Sequence, residues 1–271
     1  MEYLSIKDVQ NEEVKILKLV IDYFEERKIN YFIFAGTFLG AVRHKGFIPW
    51  DDDIDIALTR DEYEKLIEYL KVDNKLKNNV EIIGYELGIS DFPFLKAINK
   101  DTNVLEEYEV NKNLWIDIFP LDNAPNNGTS FYKKIKFWKK IHELRRYKYY
   151  NLKNNTKGVK GLIKSLAIAV VCLFKMESIL NHYLKICKHY NNKETKYVCN
   201  NVWGIGEKGK IDIADLKCSY YKFDSLTVKG FENYDKILTN LYGNYMELPP
   251  EDKRQTHFLK AWRNKQWWRK I

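Results

Sequence analysis

Apolar residues return every three to four positions near the start of the chain, where Val14, Leu17, Ile21 and Phe24 share one side of a helix over roughly residues 8–28. Tyr31–Ala35 is then a short aromatic and β-branched run, read as a buried strand. Gly36-Thr37 follows, Phe38–His44 reads as a short helix, and Gly46 and Pro49 break the chain. Ile54, Ile56 and Leu58 alternate with Asp53, Asp55 and Ala57, which predicts a second strand carrying both aspartates on one face. Thr59 with Glu62 three places on predicts a capping box and a helix over 60–71. Short strands are expected near 80–85, 93–98 and 103–108. A further strand alternates Trp115, Asp117 and Phe119 with Ile116 and Ile118 and is expected to end at Pro120. From about residue 129 the pattern turns mainly helical.

These elements make an α+β protein, a mixed sheet flanked by helices with a mainly helical C-terminal part. The turn-rich stretch Asp122, Asn123, Pro125, Asn126, Asn127 and Gly128 marks the expected boundary between a sheet-containing part, 1–127, and a helical part, 128–271. Residues 162–174 are the most apolar, but only Leu166–Phe174 is uninterrupted, far short of the ~20 residues that span a bilayer. A buried core helix is the first expectation. A membrane-surface helix flanked by Lys157, Lys160, Lys164 and Lys175 is the second.

Charge sharpens the division. Residues 1–127 carry a net −10 and residues 128–271 a net +18, within a chain of net +8. An acidic half suited to a cation is followed by a basic half suited to an anionic partner, for which nucleic acid, anionic lipid and phosphorylated glycan all qualify. A solvated lysine-rich surface would give the same count. The four cysteines are widely spaced and form no C-x-x-C, which argues against a zinc ribbon. Met1–Lys15 mixes charged and apolar residues and has no signal-peptide pattern, so reduced thiols in the cytoplasm are expected.

The chemistry concentrates in Asp51, Asp52, Asp53 and Asp55, four carboxylates within five residues. Packing like charges beside a buried strand is unfavourable unless a cation or several hydrogen bonds compensate. Asp53 and Asp55 on a rigid strand supply the hard oxygen ligands that Mg²⁺ takes, with Mn²⁺ as the alternative ion. Asp117, alone between Ile116 and Ile118, repeats the logic. It is read as a third ligand or as the base for an acceptor hydroxyl, against the plainer reading of an aspartate paired with a lysine. Gly36 and Thr37 open a helix whose free N–H groups could meet a phosphate. Arg43, His44 and Lys45 stand between them and the carboxylates, suited to a diphosphate or to neutralising the acids. Arg254 and His257, after the Pro249-Pro250 turn, are further candidates for an anionic group.

The run from Gly36 through Gly40, Arg43, Gly46, Pro49, Trp50 and Asp51-Asp52-Asp53 to Ile56 closely resembles the LicD family, which is related to the fukutins within the nucleotidyltransferase-fold superfamily. Trp115–Asp122 and the tail Tyr242–Met246, Pro249-Pro250, Lys253-Arg254 and His257 agree with it. The resemblance implies a nucleotidyltransferase-type sheet and a cytoplasmic transfer of a phospho-alcohol from a CDP-alcohol donor to a cell-surface glycan precursor. The basic half and the apolar stretch at 162–174 together suggest peripheral contact with a lipid-linked acceptor at the inner membrane face, and no nucleic-acid partner is expected. Phosphocholine from CDP-choline, passed to teichoic acid or lipopolysaccharide sugars, is the first expectation; CDP-ribitol and CDP-glycerol are the alternatives. The family's paired carboxylates map onto Asp53 and Asp55, its third onto Asp117, and its glycine turn onto Gly36-Thr37. A choline ammonium would need an aromatic cage, for which composition offers Trp50, Trp115 and Trp203. A nucleotidyltransferase acting on RNA and a non-catalytic glycan- or membrane-binding protein are the competing classes.

Overall fold

The computed structural model describes residues 2–105, 110–153, 158–254, 256 and 260–264. In chain order the elements are β1 (Glu2–Tyr3), α1 (Ile6–Glu26), β2 (Phe32–Ile33), α2 (Ala35–His44), β3 (Asp55–Thr59), α3 (Arg60–Val72), β4 (Val80–Ile83), β5 (Leu95–Leu105) and β6 (Val110–Ala124). They continue with α4 (Thr129–Arg146), α5 (Lys148–Lys153), α6 (Val159–Cys172), α7 (Met176–Cys187), β7 (Tyr197–Cys199), β8 (Ile211–Asp212), β9 (Cys218–Phe223), β10 (Leu226–Phe231), α8 (Tyr234–Tyr242) and β11 (Lys260–Arg263).

The architecture is the expected α+β one. A mixed sheet runs β1-β11-β5-β6-β3-β2, with β4 on β5 and β7 and β8 extending the far end of β6. Only β3 and β6 pair in parallel; the other named pairs are antiparallel. Ile16, Leu17, Val20 and Phe24 of α1 are buried in the same core as Ile56 and Leu58 of β3 and Ile116 and Ile118 of β6. A β9–β10 hairpin covers the other end, where Phe231 stacks on Phe32 at 4.1 Å and meets Phe38 at 5.7 Å.

Several local expectations are corrected. Ser5 and Asp8 form a reciprocal capping box at the start of α1, whereas Thr59 makes no side-chain cap. Thr59 is still the last paired residue of β3, opposite Leu121, and Glu62 instead accepts a hydrogen bond from Asn30 at 3.1 Å. The strand expected near 93–98 and the described part of the one expected near 103–108 are one strand, β5, with an irregular register between Asn99 and Val104; residues 106–108 lie outside the described residues. There the Asn99 side chain accepts from the Asp101 N–H and Thr102 Oγ1 donates to the Asn99 carbonyl, closing a local turn within the strand. β6 also runs through Pro120 to Ala124. Pairing with β5 ends at Ile118 and pairing with β7 begins at Asp122, so the proline falls where that edge has no strand partner for an N–H to serve.

The apolar stretch at 162–174 is not the buried core helix of the first expectation. Only Gly161, Ile168 and Val171 of α6 are buried.

Candidate active site

The site begins at a strained turn. β2 passes into α2 through Ala35, a non-glycine residue at φ +46° with its side chain buried. Gly36 and Thr37 therefore lie inside the first turn of α2 rather than ahead of it. A side chain at Gly36 would place its Cβ 2.9 Å from Asp51 Oδ2, so only glycine admits that carboxylate against the helix start. Gly40 has a similar role, since its Cβ would stand 2.4 Å from the Gly46 carbonyl oxygen and push away the loop leading to the acidic run. Thr37 is buried. Its hydroxyl accepts from the Asp55 N–H at 2.7 Å and lies 3.4 Å from the Asp53 carbonyl oxygen, to which it donates. Thr37 thus fixes the backbone from which Asp53 and Asp55 project.

Asp55 opens β3 and stands directly opposite Asp117 in the parallel pairing with β6, while the Asp117 N–H donates to the Ile54 carbonyl at 2.8 Å. The sheet therefore brings Asp55 and Asp117 onto adjacent strand positions, whereas Asp53, expected on the same strand, precedes its start at Asp55. Asp55 is buried, and its carboxyl is held well above the usual range, first by burial and then by Asp53, Asp117 and Asp51; Lys96 partly offsets the rise. Lys96 was not singled out from sequence. It lies opposite Asp117 on β5, its ammonium 2.6 Å from Asp117 Oδ1 and 4.2 Å from the Trp115 ring centroid, with Phe92 and Phe94 close by. Asp117 thus has the lysine partner of its plainer reading, and Trp115 already faces a protein cation. Trp203 stacks on Phe119 at 5.9 Å.

Sequence reasoning also missed Glu13. It is fully buried on α1, and among the described residues neither carboxylate oxygen has a hydrogen-bond partner. Burial raises its carboxyl well above the usual range, and Asp53, Asp52, Asp51 and Asp117 raise it further. The signal was its place among Val9, Ile16, Leu17 and Val20, all inward-facing positions of α1. The neighbouring Gln10 donates to the Asp51 carbonyl at 2.9 Å, so α1 also anchors the acidic loop.

These residues fit a divalent cation. The donors are hard carboxylate oxygens, and among the described residues both oxygens of the buried Glu13 have no hydrogen-bond partner. Among the described residues no three His, Cys, Asp or Glu side chains are set at ligating geometry. Glu13→Gln is expected to stabilise the metal-free protein, because a neutral amide replaces a buried acid. The sign is set by the raised folded-state value: the stability contributed by the neutral acid is complete below about 4.5, the carboxyl's ordinary value, and is lost as pH rises through the higher folded one. The gain in melting temperature over the parent should therefore be larger at pH 8 than at pH 5, and the shift caused by added Mg²⁺ should shrink in the variant. Equal gains at both pH values would contradict this account.

Beside the acids lies a cleft of about 460 Å³ lined by Leu39, Arg43, Trp50, Tyr242, Tyr245 and Pro249 among others. Tyr242 is 43% exposed as a whole residue, yet desolvation at its hydroxyl, followed by the charges of Asp55, Asp51 and Asp53, raises that group's pKa, which ties this cleft to the carboxylates. Arg43 donates to the Tyr245 carbonyl at 2.6 Å and, through Nε, to His44 at 2.9 Å. Burial and then the Arg43 charge lower His44, which keeps it neutral near pH 7. Lys45 takes the left-handed conformation that ends α2 and is exposed, with its ammonium on the Val42 carbonyl. Arg254 lies over the Trp50 ring, 4.7 Å from its centroid, and donates to the Pro249 carbonyl at 3.0 Å. The structure thus places Arg43 and Trp50 in the cleft lining and Arg254 against Trp50 and Pro249 beside it, while His257 lies outside the described residues.

The chain is similar to several known proteins. A family profile described as LicD/FKTN/FKRP, nucleotidyltransferase domain, matches residues 28–156. The chain is 28% identical over 251 residues to the lipopolysaccharide cholinephosphotransferase LicD of Haemophilus influenzae, covering 89% of this chain and 92% of that protein. It is 30% identical over 115 residues to mouse ribitol 5-phosphate transferase FKRP, covering 41% of this chain but only 20% of that protein. An uncharacterised protein of Rickettsia typhi is 27% identical over 151 residues, 50% of this chain and 46% of its own length.

Proposed function

Because the chain belongs to the LicD family, we propose that it transfers a phospho-alcohol group, phosphocholine from CDP-choline, to a sugar hydroxyl of a cell-surface glycan precursor. The carrying observation is the aromatic and basic cleft of Trp50, Tyr242 and Arg43 set against the buried carboxylates. The similarity to the Haemophilus enzyme over nearly the whole of both chains supports choline as the alcohol. On this reading the protein works in the cytoplasm, where its nucleotide donor is made, and meets a lipid-linked acceptor at the membrane.

Arg43, anchored through the Tyr245 carbonyl, and Arg254, braced on Trp50, meet the charge of the donor diphosphate. Gly36 leaves room for Asp51 beside the helix start, and Thr37 holds Asp53 and Asp55 in register. Mg²⁺ held by Asp53, Asp55 and Asp117, with Glu13 behind them, would neutralise charge on the transferring phosphoryl group and the departing CMP. The acceptor oxygen bonds to the phosphorus bearing the alcohol, the bond from that phosphorus to CMP breaks, and the hydroxyl proton passes to a carboxylate near Asp117. Positioning and charge neutralisation supply most of the acceleration.

The test is CMP release from a panel of CDP-choline, CDP-ribitol and CDP-glycerol with Mg²⁺, with and without a lipid-linked glycan. Acceptor-dependent release from CDP-choline is the expected result; release from none of the three would overturn the reading. The domain-level similarity to FKRP favours ribitol as the second reading, and the same panel separates the two. If choline is the alcohol and takes the face of Trp50 opposite Arg254, Trp50→Ala should raise KM for CDP-choline on the order of tenfold, as an aromatic face contributes about 1–2 kcal/mol to a bound cation. An unchanged KM would remove Trp50 from choline recognition.

A further inference from the structure

Helix α6 turns an apolar face to water. Gly161, Ile168 and Val171 point inward, whereas Leu162, Ile163, Leu166, Val170, Leu173 and Phe174 are all more than half exposed. At about 100° per residue these six fall on one continuous side of the helix and its C-terminal extension, and no charged residue interrupts that side. A helix packed on a soluble core normally presents polar residues outward. A contiguous apolar surface of this kind marks an interaction site.

The surroundings identify what covers it. Residues 129–175 contain thirteen Lys and Arg against one acidic residue, Glu143. Lys160 and Lys175 are exposed at the two ends of the apolar face, and Lys133, Lys134, Lys136 and Lys140 are exposed on α4, which packs against α6. The Arg145 side chain ties the two segments through the Phe174 carbonyl at 3.4 Å. An apolar stripe within a basic field matches the two layers of an anionic lipid surface, acyl chains for the leucines and phosphates for the lysines. A second copy of the chain would bring two strongly positive surfaces together, which opposes self-association through this face. The 14-residue helix is only ~21 Å long against a hydrocarbon core of ~30 Å, and no helix among the described residues is long and apolar enough to cross a membrane.

We propose that α6 lies in the plane of an anionic membrane surface, its Leu162–Leu166–Val170 face in the acyl boundary and the lysines of α4 and α6 on the headgroup phosphates. The inference is independent of which alcohol is transferred, since it uses none of the cleft residues.

Flotation of the full chain tests it, using vesicles of phosphatidylglycerol with phosphatidylcholine and vesicles of phosphatidylcholine alone. The parent should float with the anionic vesicles, less so at high salt, and poorly with the neutral ones. The variant Leu162→Asp/Leu166→Asp/Val170→Asp changes only outward positions, and its melting temperature should stay near the parent's; its partitioning should fall at least ~10-fold. Equal flotation of parent and variant, or equal flotation of the parent with both vesicle types, would overturn the proposal. So would a concentration-dependent dimer, seen by sedimentation without vesicles and abolished in the variant, because the face would then belong to a second copy.

Discussion

An Asp55→Asn protein is expected to turn over on the order of 10²–10⁴-fold more slowly than its parent and yet to melt at a higher temperature. Both effects come from one carboxylate. Asp55 is buried at the start of β3, opposite Asp117, and burial with the charges of Asp53, Asp117 and Asp51 holds its carboxyl well above the usual range. An ionised group in that field opposes folding, and the isosteric amide removes the opposition. A raised folded-state value means the stability from the neutral acid is lost as pH rises through it, so the thermal advantage of the amide should widen with pH. The amide cannot replace the charge needed against the donor's phosphates, so turnover falls while the backbone held by Thr37 stays in place. Calorimetry across pH, paired with CMP release, checks the two halves. A variant with near-parental turnover would end the assignment of Asp55 to catalysis, and one that melts lower would show the field to be already neutralised.

The second large effect concerns the fold. Arg60→Ala is expected to destabilise the protein by about 3–5 kcal/mol. Arg60 begins α3 and makes two hydrogen bonds, at 2.7 and 3.0 Å, to Asp122 near the end of β6, and Asp122 is fully buried. Asn191 adds a third bond to the same carboxylate at 2.7 Å. Removing the guanidinium leaves a buried charge with one neutral donor. Arg60→Met/Asp122→Leu should recover much of the loss, because an apolar pair needs no compensation. Urea unfolding of Arg60→Met, Asp122→Leu and the double variant measures the coupling, and additive losses would show that the pair does not act as a unit.

The two aspartates of β6 show what a pattern can and cannot tell. Both Asp117 and Asp122 stand in Trp115–Asp122, and alternation marks Asp117 as a charge inside an apolar strand. It does not say that Asp122 meets Arg60 and Asn191, since α3 and the segment after α7 reach it only through the fold. Lys96 was equally hidden. A lysine within an expected strand reads as an outward residue until the register sets it opposite Asp117. Glu13 had a periodic signal, but the helix around it also carries Glu12, Glu25 and Glu26, which makes another acidic residue unremarked.

The sequence by itself determined the period of each main element, the acidic run after Trp50, the lone aspartate in the Ile116–Phe119 strand and the division between an acidic and a basic half. These are local properties, because side-chain direction alternates or rotates with the backbone whatever packs against it. The tertiary structure decided which charges meet: Asp55 beside Asp117, Lys96 against Asp117, Glu13 buried near Asp117 and the Asp51–Asp53 run, and Arg254 over Trp50. It also decided which side of α6 faces out. A helix apolar on nearly every side carries no signal for its own orientation, and only the packing of Gly161, Ile168 and Val171 selects the buried face.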